Sequence, residues 1–208
     1  LARLAETRDP ETGNHLRRTQ GYVRTLADAL RNHPRFRDYL QPHTVELLVR
    51  SAPLHDIGKV GIPDYVLLKP GKLTPEEWVV MQTHARLGRD AIEAAERDAE
   101  ETVEFLAIAK EIAHYHHEKW DGSGYPERLA GDGIPISARL MALADVFDAL
   151  ICKRLYKPAM PLEQATAIIL DGRGAHFDPD VVDAFAQTAT TFAEIAARYS
   201  DDADDETS

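Results

Sequence analysis

Apolar residues recur at three- and four-residue spacing along most of the chain, which is the period of amphipathic helices. The spacing predicts a helix from about His15 to Asn32, with Leu16, Val23, Leu26, Ala27 and Leu30 along one side and His33-Pro34 as its stop. A second helix begins near His43 and carries Val45, Leu47, Leu48, Val49 and Leu54 into His55-Asp56, after which Gly58, Gly61 and Pro63 mark a loop. Thr74-Pro75-Glu76-Glu77 reads as a capping box with proline at the first helical position, opening a helix to about Glu96. Further helices are predicted over 102–117, from Ser137 to Lys153, from Pro161 to Leu170, and from the Asp178-Pro179 cap to about Tyr199. Residues 97–103 form a charged junction, and the glycine-rich stretch from Trp120 to Pro135 is a structured loop. No run alternates convincingly enough for a strand. The pattern predicts an all-α, compact bundle of about seven to eight helices with short connections.

Composition narrows the class. A chain of 208 residues with 44% apolar content is one domain, long enough to bury a core without staples. The longest stretch without a charged residue runs from Ala184 to Ala193, well short of the roughly 20 residues a spanning helix needs. No membrane partner and no secretory signal are expected. The single cysteine, Cys152, excludes an internal disulfide and fits a reducing, cytoplasmic setting. With 24 Lys+Arg against 35 Asp+Glu the net charge is −11, a poor balance for gripping DNA. Nearly half of that excess sits in the final DDADDETS, expected as a disordered acidic tail over 200–208. The pattern LARLAETR at the start reads as the end of a linker helix over 1–8 from an upstream domain, leaving 9–199 as the folded domain.

Nine histidines and one cysteine point to imidazole and oxygen ligands rather than a structural zinc site. Each cluster has an ordinary explanation. Glu11 and His15 are four apart and could simply complement a helix start. His55-Asp56 follows an apolar run and could close a helix. His84 in MQTHARLG could be a core histidine, and His116-His117 could belong to an aromatic turn. Neighbouring histidines cannot share one helical face, so these two are expected to serve different partners. Asp145 lies in ARLMALADVFDAL, apolar almost all round, where a carboxylate needs neutralising; Asp148, three residues on, would do so by pairing with an arginine. Taken together, these residues sit at helix ends or inside apolar helices of one small bundle. Facing helices build metal sites in this way. Five histidines and three carboxylates are too many for one ion and suit two or three, with Asp56 able to bridge.

The ordered series HLRR, HDIGKVGIPD, QTH, HHEKWDGSGYP, ADVFDAL, RLYK and HFDPDVVDAF resembles the HD-GYP domain, a branch of the HD metal-dependent phosphohydrolases. The likeness covers about residues 5–190, and both name-giving motifs, His55-Asp56 and Gly124-Tyr125-Pro126, are intact. The resemblance implies a helical bundle with the metal centre in its core. It implies metal ligands at Glu11, His15, His55, Asp56, His84, His116, His117 and Asp145, with Glu11 and His15 helping to form a third position. It implies two or three divalent transition-metal ions, iron or manganese ahead of nickel or zinc. Lys59, Arg154 and Lys157, with the Gly124-Tyr125-Pro126 loop, correspond to substrate contacts, and Arg18 fits the family's His-x-x-Arg pattern. The one departure near the site is Ile151-Cys152, where a small Thr/Ser pair is commoner.

The activity implied by the resemblance is hydrolysis of cyclic di-GMP to pGpG, sometimes on to GMP, in bacterial second-messenger signalling. The expected nucleophile is a hydroxide between two metals bridged by Asp56, with Lys59 stabilising charge on the phosphoryl group. Rival readings are a phosphohydrolase preferring pGpG or another cyclic dinucleotide, and a non-catalytic cyclic-dinucleotide receptor. An upstream receiver-type domain, diguanylate cyclase domains and a second copy of the chain are the protein partners the resemblance allows.

Overall fold

The computed structural model describes residues 13–97, 104–152 and 160–200. Eight α-helices lie among them: α1 (Gly13–Leu30), α2 (Pro42–Ser51), α3 (Asp64–Leu67), α4 (Pro75–Arg97), α5 (Glu104–Tyr115), α6 (Ile136–Ile151), α7 (Leu162–Asp171) and α8 (Pro179–Arg198). Short 3-10 turns cover Ala52–Leu54, Ile57–Gly61 and Gly131–Gly133. No strand occurs among the described residues; isolated bridges join Asp121 to Ala130 and Arg173 to Phe177.

The helical period in the sequence is the packing plan. One face of α1 buries Tyr22, Val23, Leu26, Ala27 and Leu30 against α6 and α8. There Tyr22 stacks on Phe192 at 4.5 Å, and Phe147 and Phe185 close the aromatic cluster at 5.4 Å. α6 is buried on nearly every side, from Ala138 through Phe147, as its apolar sequence requires. α4 and α5 pack as an antiparallel pair at the other side, with a smaller core of Leu54, Ile92, Ala109 and Ala113. None of the described helices is long and apolar enough to cross a membrane.

The predicted caps are present. Thr74 and Glu77 form the reciprocal capping box, the Glu77 N–H donating to Thr74 Oγ1 at 3.2 Å and the Thr74 N–H to Glu77 Oε2 at 2.7 Å. Asp178 accepts from the Asp180 N–H at 2.9 Å to start α8. Two expectations change. The loop after Asp56 contains the 3-10 turn Ile57–Gly61 and the one-turn helix α3, both too short to carry a periodic signal. The helix over 102–117 ends earlier, at Tyr115. The linker helix over 1–8 and the acidic residues 201–208 lie outside the described residues.

Candidate metal centre

Five segments converge on one point. α1 supplies His15, the turn after α2 supplies His55 and Asp56, α4 supplies His84, the end of α5 supplies His116 and His117, and α6 supplies Asp145. Two donor groups result. Asp56, His84, His116 and His117 form one, and His15, His55 and Asp145 form the other, with donor atoms in each group within 4.8 Å of one another.

The approach of the His55-Asp56 turn to α4 depends on glycine. A Cβ on Gly58 would lie 1.9 Å from the His84 carbonyl oxygen and 2.4 Å from the Gly88 nitrogen. No other residue lets the turn sit against the helix that bears His84.

Asp56 joins the two groups. Its Oδ1 lies 3.2 Å from His84 Nε2 and 3.5 Å from His116 Nε2, while its Oδ2 lies 3.4 Å from His55 Nε2 and 2.6 Å from the Lys59 ammonium. Asp145 Oδ1 is 3.7 Å from His55 Nε2. Burial pushes the Asp56 carboxyl up, but Lys59 and His55 outweigh it and hold the group well below the ordinary carboxylate range. Burial lowers His116. Burial also lowers His117, well below the usual imidazole value, with His116 and His84 adding to the effect.

Second hydrogen bonds fix which ring nitrogen faces inward. Nδ1 of His55 donates to the Ala52 carbonyl at 2.9 Å, Nδ1 of His84 to Met81 at 2.7 Å, and Nδ1 of His116 to Ile112 at 2.9 Å. A carbonyl can only accept, so these Nδ1 atoms carry the proton and Nε2 presents its lone pair to the centre. His15 differs: its Nδ1 lies 2.8 Å from Asp148 Oδ2. Asp148 is buried and held by Arg18 through two nitrogens, at 2.7 and 3.0 Å. That is the Asp-to-Arg pair the apolar helix demanded, with His15 as an additional partner.

These residues fit divalent cations. Asp56 Oδ1 and His116 Nε2 are buried without a hydrogen-bond partner, a costly condition for polar atoms. His15 and His55 turn Nε2 atoms toward each other at 3.4 Å, and His84 and His117 do so at 3.1 Å. His55 and His84 present a lone pair in these contacts, and each pair places two nitrogens close enough to be ligands of one cation. The donor set is imidazole and carboxylate with no thiolate, as first-row divalent ions prefer.

The expectation that His116 and His117 serve different partners is corrected. Past the end of α5 at Tyr115 the His116 N–H still donates to the Ile112 carbonyl at 3.1 Å and the chain then turns at His117; their ring centroids are 3.9 Å apart and both join the Asp56 group. The loop beyond them is pinned closely. A Cβ on Gly124 would meet the Lys119 nitrogen at 2.3 Å. Tyr125 stacks on His117 at 4.7 Å, and the Tyr125-Pro126 bond is cis. Buried Glu118 accepts the Glu127 and Leu129 N–H groups at 2.7 and 3.0 Å, holding the far side of the loop. Burial pushes the Tyr125 hydroxyl up, and the Asp56 and Asp145 charges push it the same way, which marks the ring as a wall of the site.

The HD domain family matches residues 1–181. The chain belongs to the HD domain family. Within it this HD domain is of the HD-GYP type, with both motifs in place. It is 59% identical over 201 residues to a Vibrio cholerae protein named cyclic di-GMP phosphodiesterase, covering 97% of this chain and 41% of that protein. It is 42% identical over 201 residues to a Vibrio cholerae protein named 3'3'-cGAMP-specific phosphodiesterase 2, covering 97% of this chain and 36% of that one. The chain thus spans less than half the length of these relatives. An HD-GYP-like protein of Bdellovibrio bacteriovorus shares the fold, with a TM-score of 0.59 at 19% identity over 86% of this chain and 54% of its own.

Of the eight ligands implied by the resemblance, seven come together; Glu11 lies outside the described residues, as do Arg154 and Lys157. Lys59 and Tyr125 border the donors. Two contributions were not foreseen. Asp148 was legible as the partner of an arginine but not as the carboxylate behind His15, and Trp78, whose ring meets Tyr125 edge-on at 6.3 Å, carried no signal in the linear pattern.

Proposed function

We propose that this HD-GYP domain is a metal-dependent phosphodiesterase that opens cyclic di-GMP to pGpG. The observation that carries the proposal is Asp56, one carboxylate shared by two groups of inward-facing nitrogen donors. His84, His116 and His117 would hold one ion with Asp56, and His15, His55 and Asp145 a second; Glu11 is proposed as the ligand that recruits a third. Iron or manganese is proposed for these positions. When bound, such ions supply a water acidified to a nucleophile at neutral pH and polarise the phosphoryl oxygens.

The protein's own residues do the rest. The carbonyl-anchored imidazoles keep their lone pairs aimed without rearrangement, which is preorganisation. Lys59, at 2.6 Å from Asp56, places its ammonium where phosphoryl charge develops and is the candidate to stabilise it. The Tyr125 ring limits water on the loop side. Arg154 and Lys157 are proposed as the grip on the second phosphate. Action on pGpG to give GMP, a cytoplasmic setting, control by an upstream receiver-type domain, and contacts with diguanylate cyclase domains or a second copy belong to the same proposal. The similarity to a relative named for 3'3'-cGAMP favours one alternative, a mixed cyclic dinucleotide as substrate.

The test uses wild-type and Asp56→Ala protein, with metal content by elemental analysis and products by chromatography. We expect Asp56→Ala to lose hydrolysis and most of its metal together. Wild-type turnover in that variant would overturn the mechanism. A comparison of kcat/KM for cyclic di-GMP, 3'3'-cGAMP and pGpG assigns the substrate.

A further inference from the structure

Trp78 is a large aromatic side chain left 47% exposed, one ring removed from the donor groups through Tyr125. It stands on the first turn of α4, and that turn is locked by the Thr74–Glu77 capping box, with the Trp78 N–H donating to the Thr74 carbonyl at 2.8 Å. The indole meets the Tyr125 ring edge-on at 6.3 Å; Tyr125 stacks on His117 at 4.7 Å and meets His84 edge-on at 6.5 Å. A ladder of rings therefore leads from the metal donors to an indole with open surface. The next residue, Val79, is 63% exposed, so this end of α4 presents apolar area to solvent. A phosphodiester held at the donors would carry its nucleoside outward past Tyr125, and an exposed indole is the natural surface for a flat base.

We propose that Trp78 is the floor of a purine subsite, stacking on a base of the nucleotide whose phosphate is bound at the donors. The proposal rests on the phosphodiesterase reading and extends it to the base. Stacking uses the π-face that every purine has, so Trp78 contributes affinity without choosing guanine over adenine. The exocyclic groups are read by other residues.

The experiment compares Trp78→Ala and Trp78→Phe with wild type. Loss of one base stack should raise KM about 5- to 150-fold. We expect that rise to be similar for cyclic di-GMP and 3'3'-cGAMP, with kcat and metal content unchanged and with Phe recovering most of the loss. A second reading uses bis(p-nitrophenyl) phosphate, which has no base, as the reporter substrate. Inhibition of its hydrolysis by GMP should weaken in Trp78→Ala, while inhibition by inorganic phosphate should not. An unchanged KM, or GMP and phosphate inhibition weakened alike, would overturn the subsite. So would a loss of metal or kcat with GMP inhibition intact, because that outcome makes Trp78 a mere prop for Tyr125. Wild-type protein inert toward every dinucleotide would refute the proposed function instead, and the GMP arm would still decide whether Trp78 stacks on a base.

Discussion

Asp148 shows how much one side chain decides. It takes two hydrogen bonds from Arg18 and faces His15 Nδ1, all within the buried core between α1 and α6. Burial pushes its carboxyl up, but His15 and Arg18 win and the group lies below its ordinary value. A carboxylate behind a ligating histidine fixes the ring and raises its basicity, and losing such a partner costs roughly 10–100-fold in metal affinity. Asp148→Asn should therefore lower affinity at the His15–His55–Asp145 group while sparing the Asp56–His84–His116–His117 group. Metal titration followed by elemental analysis checks this, and equal loss at both groups would contradict it. The variant also removes the carboxylate charge that Arg18 meets at 2.7 Å in the core, which should lower the midpoint of a denaturant melt. The sequence told that Asp148 needed a cation because the helix around it is apolar. It could not name Arg18, which lies 130 positions away. Tertiary closure alone makes that pair.

At the scale of elements, the helices were readable because each has a periodic apolar face and several have explicit caps. What stayed hidden were the short pieces that aim side chains. The turn Ile57–Gly61 has no period of its own; its position is set by Gly58 lying against α4. Gly58→Ala would drive a methyl into the His84 carbonyl, and overpacking of this kind costs about 1–3 kcal/mol. We expect a lower melting temperature together with reduced metal content, since the turn and α4 bear the proposed ligands on both sides of the clash. Full metal content with lowered stability would show that the two segments can separate without disturbing the donors. The misplaced expectation for His116 and His117 has the same origin. Helical geometry would have sent them apart, but α5 ends one residue before them, and the helix stop was not marked by a cap in the sequence.

For the whole molecule, the two donor groups tie α1, the post-α2 turn, α4, the end of α5 and α6 to one centre. Ligands that bind only the folded state stabilise it by mass action. Treatment with a chelator should lower the thermal midpoint, and added manganese or iron should restore it, as a melting scan would show. In the metal-free protein, acid should act in a defined direction. Folded His116 and His117 take up protons less readily than the unfolded chain, whose histidines titrate near 6.5. Asp56 and Asp148 hold low folded values against 3.8 when unfolded. In both cases the unfolded state binds more protons, so stability is full above about pH 6.5 and is lost progressively below it. His176, lowered to about 4 first by its burial, adds to the loss between 6.5 and 4. A midpoint that rises on acidification would refute this balance.

The outward-pointing Nδ1 protons of His55, His84 and His116 have a consequence for how ions enter and leave. No ring has to exchange tautomers before it binds, so the proton released on uptake is chiefly the one lost by the water that an ion acidifies. A calorimetric titration repeated in buffers of different ionisation heat should therefore give an enthalpy that shifts with the buffer, and an unchanged enthalpy would mean that no water is acidified at neutral pH. Occupancy of such a centre would answer to acidity through its water and not through a rearrangement of its rings.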